Sequence, residues 1–301
     1  MKKIIFDNKL IGDREEAVKL CSETEGKVDI LSFVRPIDTL KVAESPFAKI
    51  VKSKDVAFVG GIFNQRKRNS KWRDIRLRKA VCHAINCEEL LRYAAKGNAY
   101  NLGGRIPPGA FGHNPNLRPY AYDTQKARKL LEEAGYPEGF EVTIISYEAW
   151  RLEAQIVSRM LERIGLKVTL QVLSHPAFVH KQYIPLLDNA PEEQEWDIAI
   201  DQGRDWYGHT GITLQAFWYL DESEWRWIEY DPVYEKMWKD MASTVDRDKQ
   251  EGKVRKIEEY IHNQAYNFNL YSPLMLYAEK RGRFCPTKGV SFTSQGDLRD
   301  R

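Results

Sequence analysis

Residues 123–173 read DTQKARKLLEEAGYPEGFEVTIISYEAWRLEAQIVSRMLERIGLKVTLQVL. Asp123 stands where a helix N-cap belongs, Ala127, Leu130, Leu131 and Ala134 share one helical side, and Gly135 supplies the left-handed residue that ends the turn. Pro137 prevents continuation. Glu141 to Ser146 then reads as a strand. Trp150 to Ile164 carries Leu152, Ile156, Met160 and Ile164 at spacings of four, and Gly165 ends it. Leu166 to Leu173 alternates again. A strand, a helical crossover and a second strand predict a parallel pair, and hence an α/β fold.

Working outward, Asp74 is placed to cap a helix with Leu77, Ala80, Val81, Ala84 and Ile85 on its buried side. Asn86 and Glu89 form a near capping box for the next helix, which ends at Gly97. Between them and Asp123, Pro107-Pro108-Gly109 through Gly112-His113-Asn114-Pro115 predicts a shaped loop. Towards the N-terminus, Lys3 to Phe6, Val28 to Leu31 and Val56 to Phe63 read as strands and Asp13 to Glu25 as a helix. Towards the C-terminus, helices are expected near Val233 to Ser243 and Asp246 to Ala265, and strands near Phe268 to Tyr271 and Leu274 to Ala278.

The 301 residues are 43% hydrophobic and 30% charged, with a net charge of +3, the balance of a globular protein of about two domains. So small an excess of charge does not argue for nucleic acid or an anionic membrane. Arg66 to Lys79 concentrates eight Lys or Arg against one Asp, but no later segment adds a matching basic face. No nucleic-acid partner is expected. The apolar runs fall far short of the roughly 20 residues of a membrane-spanning helix. The two lysines and apolar triplet after Met1 meet Asp7 with no small-residue cleavage site, so they are not read as a signal peptide. Cys21, Cys82, Cys87 and Cys285 lack framework spacing and read as free thiols, with a lean towards a reducing compartment.

No glycine-rich phosphate loop, His-Glu-x-x-His, Cys-x-x-Cys or Gly-x-Ser-x-Gly occurs, so no catalytic residue, metal or cofactor is expected. Cys82 and Cys87 would point about 140° apart on a helix, which favours packing over metal binding. His175 and His180 have no third ligand nearby in sequence. The unusual region is Trp196 to Trp238, where 11 of 43 residues are aromatic against 12% overall. Acids are interleaved, among them Asp197, Asp201, Asp205, Asp221 and Asp231. Aromatic faces beside carboxylates suit a ligand bearing an amine or another cation.

The run Asp74-Ile75-Arg76-Leu77-Arg78-Lys79-Ala80-Val81 with Ala84-Ile85-Asn86 resembles the signature helix of family 5 extracellular solute-binding proteins, the peptide- and nickel-binding subunits of ABC importers. The likeness continues, in order, through Gly97, Pro107-Pro108-Gly109, Asn114-Pro115, Tyr122-Asp123, Lys126-Ala127, Leu130-Leu131, Ala134-Gly135-Tyr136, Ile164-Gly165-Leu166-Lys167-Val168 and Trp196-Asp197-Ile198. It implies a type II periplasmic-binding-protein-like α/β fold, mainly the second lobe plus part of the first. Met1 matches the middle of the longer family chains. Residues 1–70 then correspond to partial lobe one, 71–275 to lobe two and 276–301 to a return to lobe one.

The resemblance further implies non-catalytic capture of a peptide or another small cationic or amphipathic solute between two lobes. ABC permease subunits are the implied partners, in a periplasmic or extracellular setting. Self-association through an undocked lobe surface is an added expectation. Where peptide-binding relatives carry Trp-x-x-Asp, this chain has Trp206-Tyr207-Gly208-His209. The candidate ligand-binding residues are therefore Asp205, Trp206, Tyr207, His209 and Trp218. The alternative is a cytoplasmic ligand-sensing domain of a transcription regulator with the same fold, although no helix-turn-helix is readable in this chain.

Overall fold

The computed structural model describes residues 4–5, 30–31, 34–187, 190–204 and 227–281. In chain order the elements are β1 (Ile4–Ile5), β2 (Ile30–Leu31), α1 (Thr39–Glu44), β3 (Ala48–Ser53), β4 (Ala57–Phe63), α2 (Ile75–Ala84), α3 (Cys87–Tyr93), β5 (Ala99–Tyr100) and α4 (Thr124–Glu133). Then follow β6 (Glu141–Tyr147), α5 (Arg151–Arg163), β7 (Lys167–Leu173), α6 (His175–Leu187), β8 (Ile198–Arg204), α7 (Pro232–Ala242), α8 (Arg247–Gln264), β9 (Asn267–Pro273) and β10 (Met275–Lys280). The helix expected over residues 13–25 lies outside the described residues, as do Cys21 and Cys285.

The chain divides into two compact units, one of residues 1–55, 91–100 and 273–301, the other of 56–90 and 101–272. This division differs from breaks near residues 70 and 275, because β4 hydrogen-bonds to both β8 and β9 and so belongs to the second unit's sheet. In the first unit the strand order is β1-β2-β10-β3, with β1 parallel to β2 and β10 antiparallel to both of its neighbours. Leu31, Val34, Val42, Ala48, Leu276 and Ala278 form its core.

In the second unit the strands run β9-β4-β8-β6-β7. The crossover unit that the sequence announces is present: β6 and β7 are parallel and in register from Glu141–Lys167 to Tyr147–Leu173, and β8 also runs parallel to β6. Asp123 caps α4 by accepting the Lys126 amide at 2.8 Å, and Gly135 takes φ +90° while the Tyr136 amide reaches back to the Leu131 carbonyl. Asp74 caps α2 by accepting the Arg76 amide at 2.8 Å, Asn86 accepts the Glu89 amide at 3.2 Å, and Asp246 accepts the Lys249 amide at 3.0 Å ahead of α8.

Part of the basic stretch is taken up by the fold. Arg78 is buried and donates to the carbonyls of Trp72, Arg73 and Gln264, Lys67 pairs with Asp197 at 3.0 Å, and Arg73 pairs with Glu229 at 2.6 Å. Charges committed in this way do not form a continuous basic face.

Candidate functional site

Side chains two apart on a strand share a face. The pairings Ile145–Ala199, Gly60–Asp201 and Phe58–Gly203 therefore put Ile145 and Tyr147 of β6, Ala199, Asp201 and Gly203 of β8, and Phe58, Gly60 and Ile62 of β4 on one face of the second unit's sheet. Its buried part is an aromatic-rich cluster of Ile145, Phe178, Trp196, Ala199 and Trp227, with Tyr147 and Tyr183 packed against it. Phe178 and Tyr183 come from α6, which covers this face. Gly203 leaves room for the Phe58 ring, which a Cβ there would meet at 2.0 Å and force to shift.

Tyr147 is the last residue of β6 and Asp201 the middle residue of β8, so Tyr147 stands at the carboxyl end of its strand and Asp201 midway along the neighbouring parallel one. Trp150 Nε1 donates to the Tyr147 hydroxyl oxygen at 2.9 Å, and the Tyr147 hydroxyl favours the ionised form of the Asp201 carboxyl on the same face. The Gln202 amide donates to Asp201 Oδ1 at 2.5 Å. The exposed ring of His175, at the start of α6, stands edge-on to Tyr147 at 4.9 Å. Burial pushes the Asp201 carboxyl up to about 6, against the pull of the Gln202 amide, the Tyr147 hydroxyl and the charges of His175 and Arg105. Burial and then the Asp201 charge raise the hydroxyls of Tyr147 and Tyr183 above the usual phenol range. The result is a desolvated acid that still titrates near neutrality.

Arg105 reaches this region from the shaped loop before α4. Its buried guanidinium lies 4.4 Å from the centre of the Phe58 ring, and burial lowers its pKa to about 10. The loop is strapped to α8: the Ile106 amide donates to Glu258 Oε1 at 2.5 Å, and Arg255 Nε donates to the His113 carbonyl at 3.1 Å. Below the loop lies a cavity of about 20 Å³ lined by Cys82, Cys87, Arg105, Tyr120, Glu258 and His262 among others. That volume suits a single water and excludes a solute. Cys82 and Cys87 face the carbonyls of Asn267 and Asn269, and burial pushes their thiols up to about 12 and about 11. His83 turns instead to the Ala121 carbonyl at 2.9 Å.

Asp205, Trp206, Tyr207, His209 and Trp218 all lie outside the described residues. Asp205 directly follows Arg204, the end of β8. Of the other aromatics in the rich region, Trp196 and Trp227 are core residues and Tyr234 is fully buried. Asp197 is taken up structurally, accepting from the Thr143 amide, Lys67 and Trp72. Asp201 stands among the acids interleaved with the aromatics in sequence but not among the candidate ligand-binding residues, and no motif marks Tyr147 or Arg105. The available signal was strand phase: in Ile198-Ala199-Ile200-Asp201, alternation puts the acid on the face of Ala199.

The fold is of the type II periplasmic-binding-protein class, as its match to solved structures shows. Solved structures of that class match nearly the whole chain. A periplasmic binding protein from Helicobacter pylori, DppA in complex with the peptide STSA, superposes with a TM-score of 0.76 at 20% identity, covering 88% of this chain and 50% of that one. The oligopeptide-binding protein AppA from Bacillus subtilis gives a TM-score of 0.73 at 17% identity over 90% of this chain and 55% of its own.

The chain belongs to the bacterial extracellular solute-binding proteins, family 5 (middle), whose model matches residues 10–225. Heme-binding protein A of Haemophilus influenzae is 28% identical over 141 residues, 46% of this chain and 25% of that protein. Glutathione-binding protein GsiB of Salmonella choleraesuis is 34% identical over 101 residues, 33% and 20% respectively. The chain thus matches a quarter or less of these relatives' length and about half the length of the solved structures.

Proposed function

We propose that the chain captures a small solute for an ABC import system, without catalysis, and that the solute is a peptide or another small cationic or amphipathic molecule. Its setting would be periplasmic or extracellular, its partners ABC permease subunits, and its second unit the counterpart of lobe two. The observation that carries this reading is the aromatic-rich face of the second unit's sheet, where Tyr147 at the carboxyl end of β6 and Asp201 midway along the parallel β8 share a side. Open α/β sheets receive ligands outside the carboxyl ends of their strands. Asp205, Trp206, Tyr207, His209 and Trp218 continue from that same end of β8 in sequence and are proposed to contact the solute.

The test is calorimetric titration of the full chain with Met-Leu, Ser-Thr-Ser-Ala, glutathione and N-acetyl-Met-Leu. Saturable binding of at least one, weakened in Trp206→Ala, supports the reading. Failure of all four to bind overturns it. Sedimentation of the unliganded chain tests the accompanying proposal of self-association, which a concentration-independent monomer refutes.

A further inference from the structure

We propose that the cavity beneath the loop of residues 101–119 is a binding site for one internal water, which accepts from the Glu258 carboxyl and joins α8 to that loop and to β9. The inference does not depend on the solute-capture reading. α8 grips the loop at successive turns: Arg255 Nε donates to the His113 carbonyl at 3.1 Å, Glu258 Oε1 accepts the Ile106 amide at 2.5 Å, and His262 Nδ1 meets the Gly103 carbonyl at 2.9 Å. The loop backbone lies so close to Glu258 that a Cβ at Gly104 would stand 2.2 Å from Oε1. A space of about 20 Å³ nevertheless remains among Glu258 and its neighbours, which is room for one water.

Glu258 Oε2 gives a water its reason to be there. The residue is 1% exposed, and Oε2 has no hydrogen-bond partner among the described residues. A neutral carboxyl has one O–H to give, and with Oε1 taken as an acceptor that proton belongs on Oε2. Burial favours this neutral form. A shielded O–H without an acceptor is costly, and a water removes the cost provided that it is itself held by about three bonds. Gly103, Asn267 and Asn269 line the same cavity, and their carbonyls, which face His262, Cys82 and Cys87, each keep a second lone pair. Such a lining holds a water, whereas an apolar void of the same size stays dry. The loop fixed in this way carries Arg105, whose guanidinium stands 4.4 Å from the centre of the Phe58 ring. Holding the loop therefore also holds Arg105 against that ring.

Crystals of the full chain grown at pH 6.5 without potassium or ammonium salts test this directly. One density peak is expected in the cavity, about 2.7 Å from Glu258 Oε2. Glu258→Gln, whose amide donates from the same place, should keep the peak, and Glu258→Met, which leaves an apolar wall there, should lose it. Oxygen-17 relaxation dispersion in solution should count one long-lived water fewer in Glu258→Met than in the other two proteins. If Glu258→Met does not fold, the wild-type and Glu258→Gln crystals decide.

No peak beside Glu258 in the wild type, a peak that persists in Glu258→Met, or a peak that appears only once potassium or ammonium is added overturns the inference. None of these outcomes bears on whether a peptide binds, so this failure and that of solute capture are distinct.

Discussion

Glu258 offers the most direct test of the physical reasoning, because its environment makes a signed prediction over an accessible pH range. The residue is 1% exposed on α8, and its carboxylate accepts the Ile106 amide across a sequence separation of 152 residues. Burial pushes its carboxyl up to about 8 from an ordinary 4.5, against the backbone amides of Ile106, Asn114 and Arg105, which favour the ionised form. The folded protein therefore keeps a proton that the unfolded chain releases above pH 4.5. Stability falls as pH rises between the two values, by up to about 1.4 kcal/mol per pH unit. At pH 7 the loss amounts to about 3 kcal/mol, and at pH 5 to less than about 1 kcal/mol. Glu258→Gln keeps an acceptor for Ile106 and has no proton to lose. Urea unfolding of wild type and variant at pH 5, 6, 7 and 8 should give near-equal stabilities at pH 5 and a variant more stable by about 3 kcal/mol at pH 7. Other titrating groups cancel in the difference. Parallel pH profiles for the two proteins would refute the burial argument.

Arg78→Met should destabilise the fold by about 3 kcal/mol in the same urea assay, because the carbonyls of Trp72, Arg73 and Gln264 lose their donors; a change within 0.5 kcal/mol would refute that role. Asp197→Ala removes the acceptor of the Thr143 amide, Lys67 and Trp72 Nε1, and should cost about 2–3 kcal/mol without depending on solute. Asp231 accepts the Tyr260 and Tyr266 hydroxyls and the Val233 and Tyr234 amides; burial opposes ionisation, but these bonds hold its carboxyl below the ordinary value. Its folded pKa is depressed, so the stability it supplies is present above the ordinary 3.8 and lost as pH falls through the folded value. Asp231→Asn should be less stable than wild type at pH 7, and the gap should close as pH falls through the folded value, as read by thermal unfolding.

What the sequence made legible was what local chemistry decides. The cap at Asp123, the left-handed Gly135 and the strand–helix–strand unit from Glu141 to Leu173 need only neighbours a few residues away, and each is found in the structure. The aligned face of α2 is equally local: Leu77, Ala80, Val81 and Ala84 are all buried. Long-range partners were not legible. Arg78 read as one more charge in a basic stretch because its acceptor Gln264 lies 186 residues away. Glu258 read as a polar helix residue because nothing near it in sequence announces the Ile106 amide. The place of β4 between β8 and β9 depends likewise on pairings that no periodicity encodes.

The candidate site shows the same limit in a more instructive form. Counting aromatics and acids from Trp196 to Trp238 identified a region, but a count treats every acid alike, and the structure separates them by their partners. Asp197, just before β8, is surrounded by an amide, an ammonium group and an indole, and its charge is spent on holding β6 and the basic stretch together. Asp201, four residues on and inside the strand, shares the face of Ala199 and Gly203, accepts the Gln202 amide and feels the charges of His175 and Arg105. Both are acids in one short strand segment, both partly shielded from water. The first is explained once the fold is known, because every oxygen has a structural partner. The second is not, because among the described residues the hydrogen bond it accepts comes from the Gln202 amide, which an asparagine would also accept.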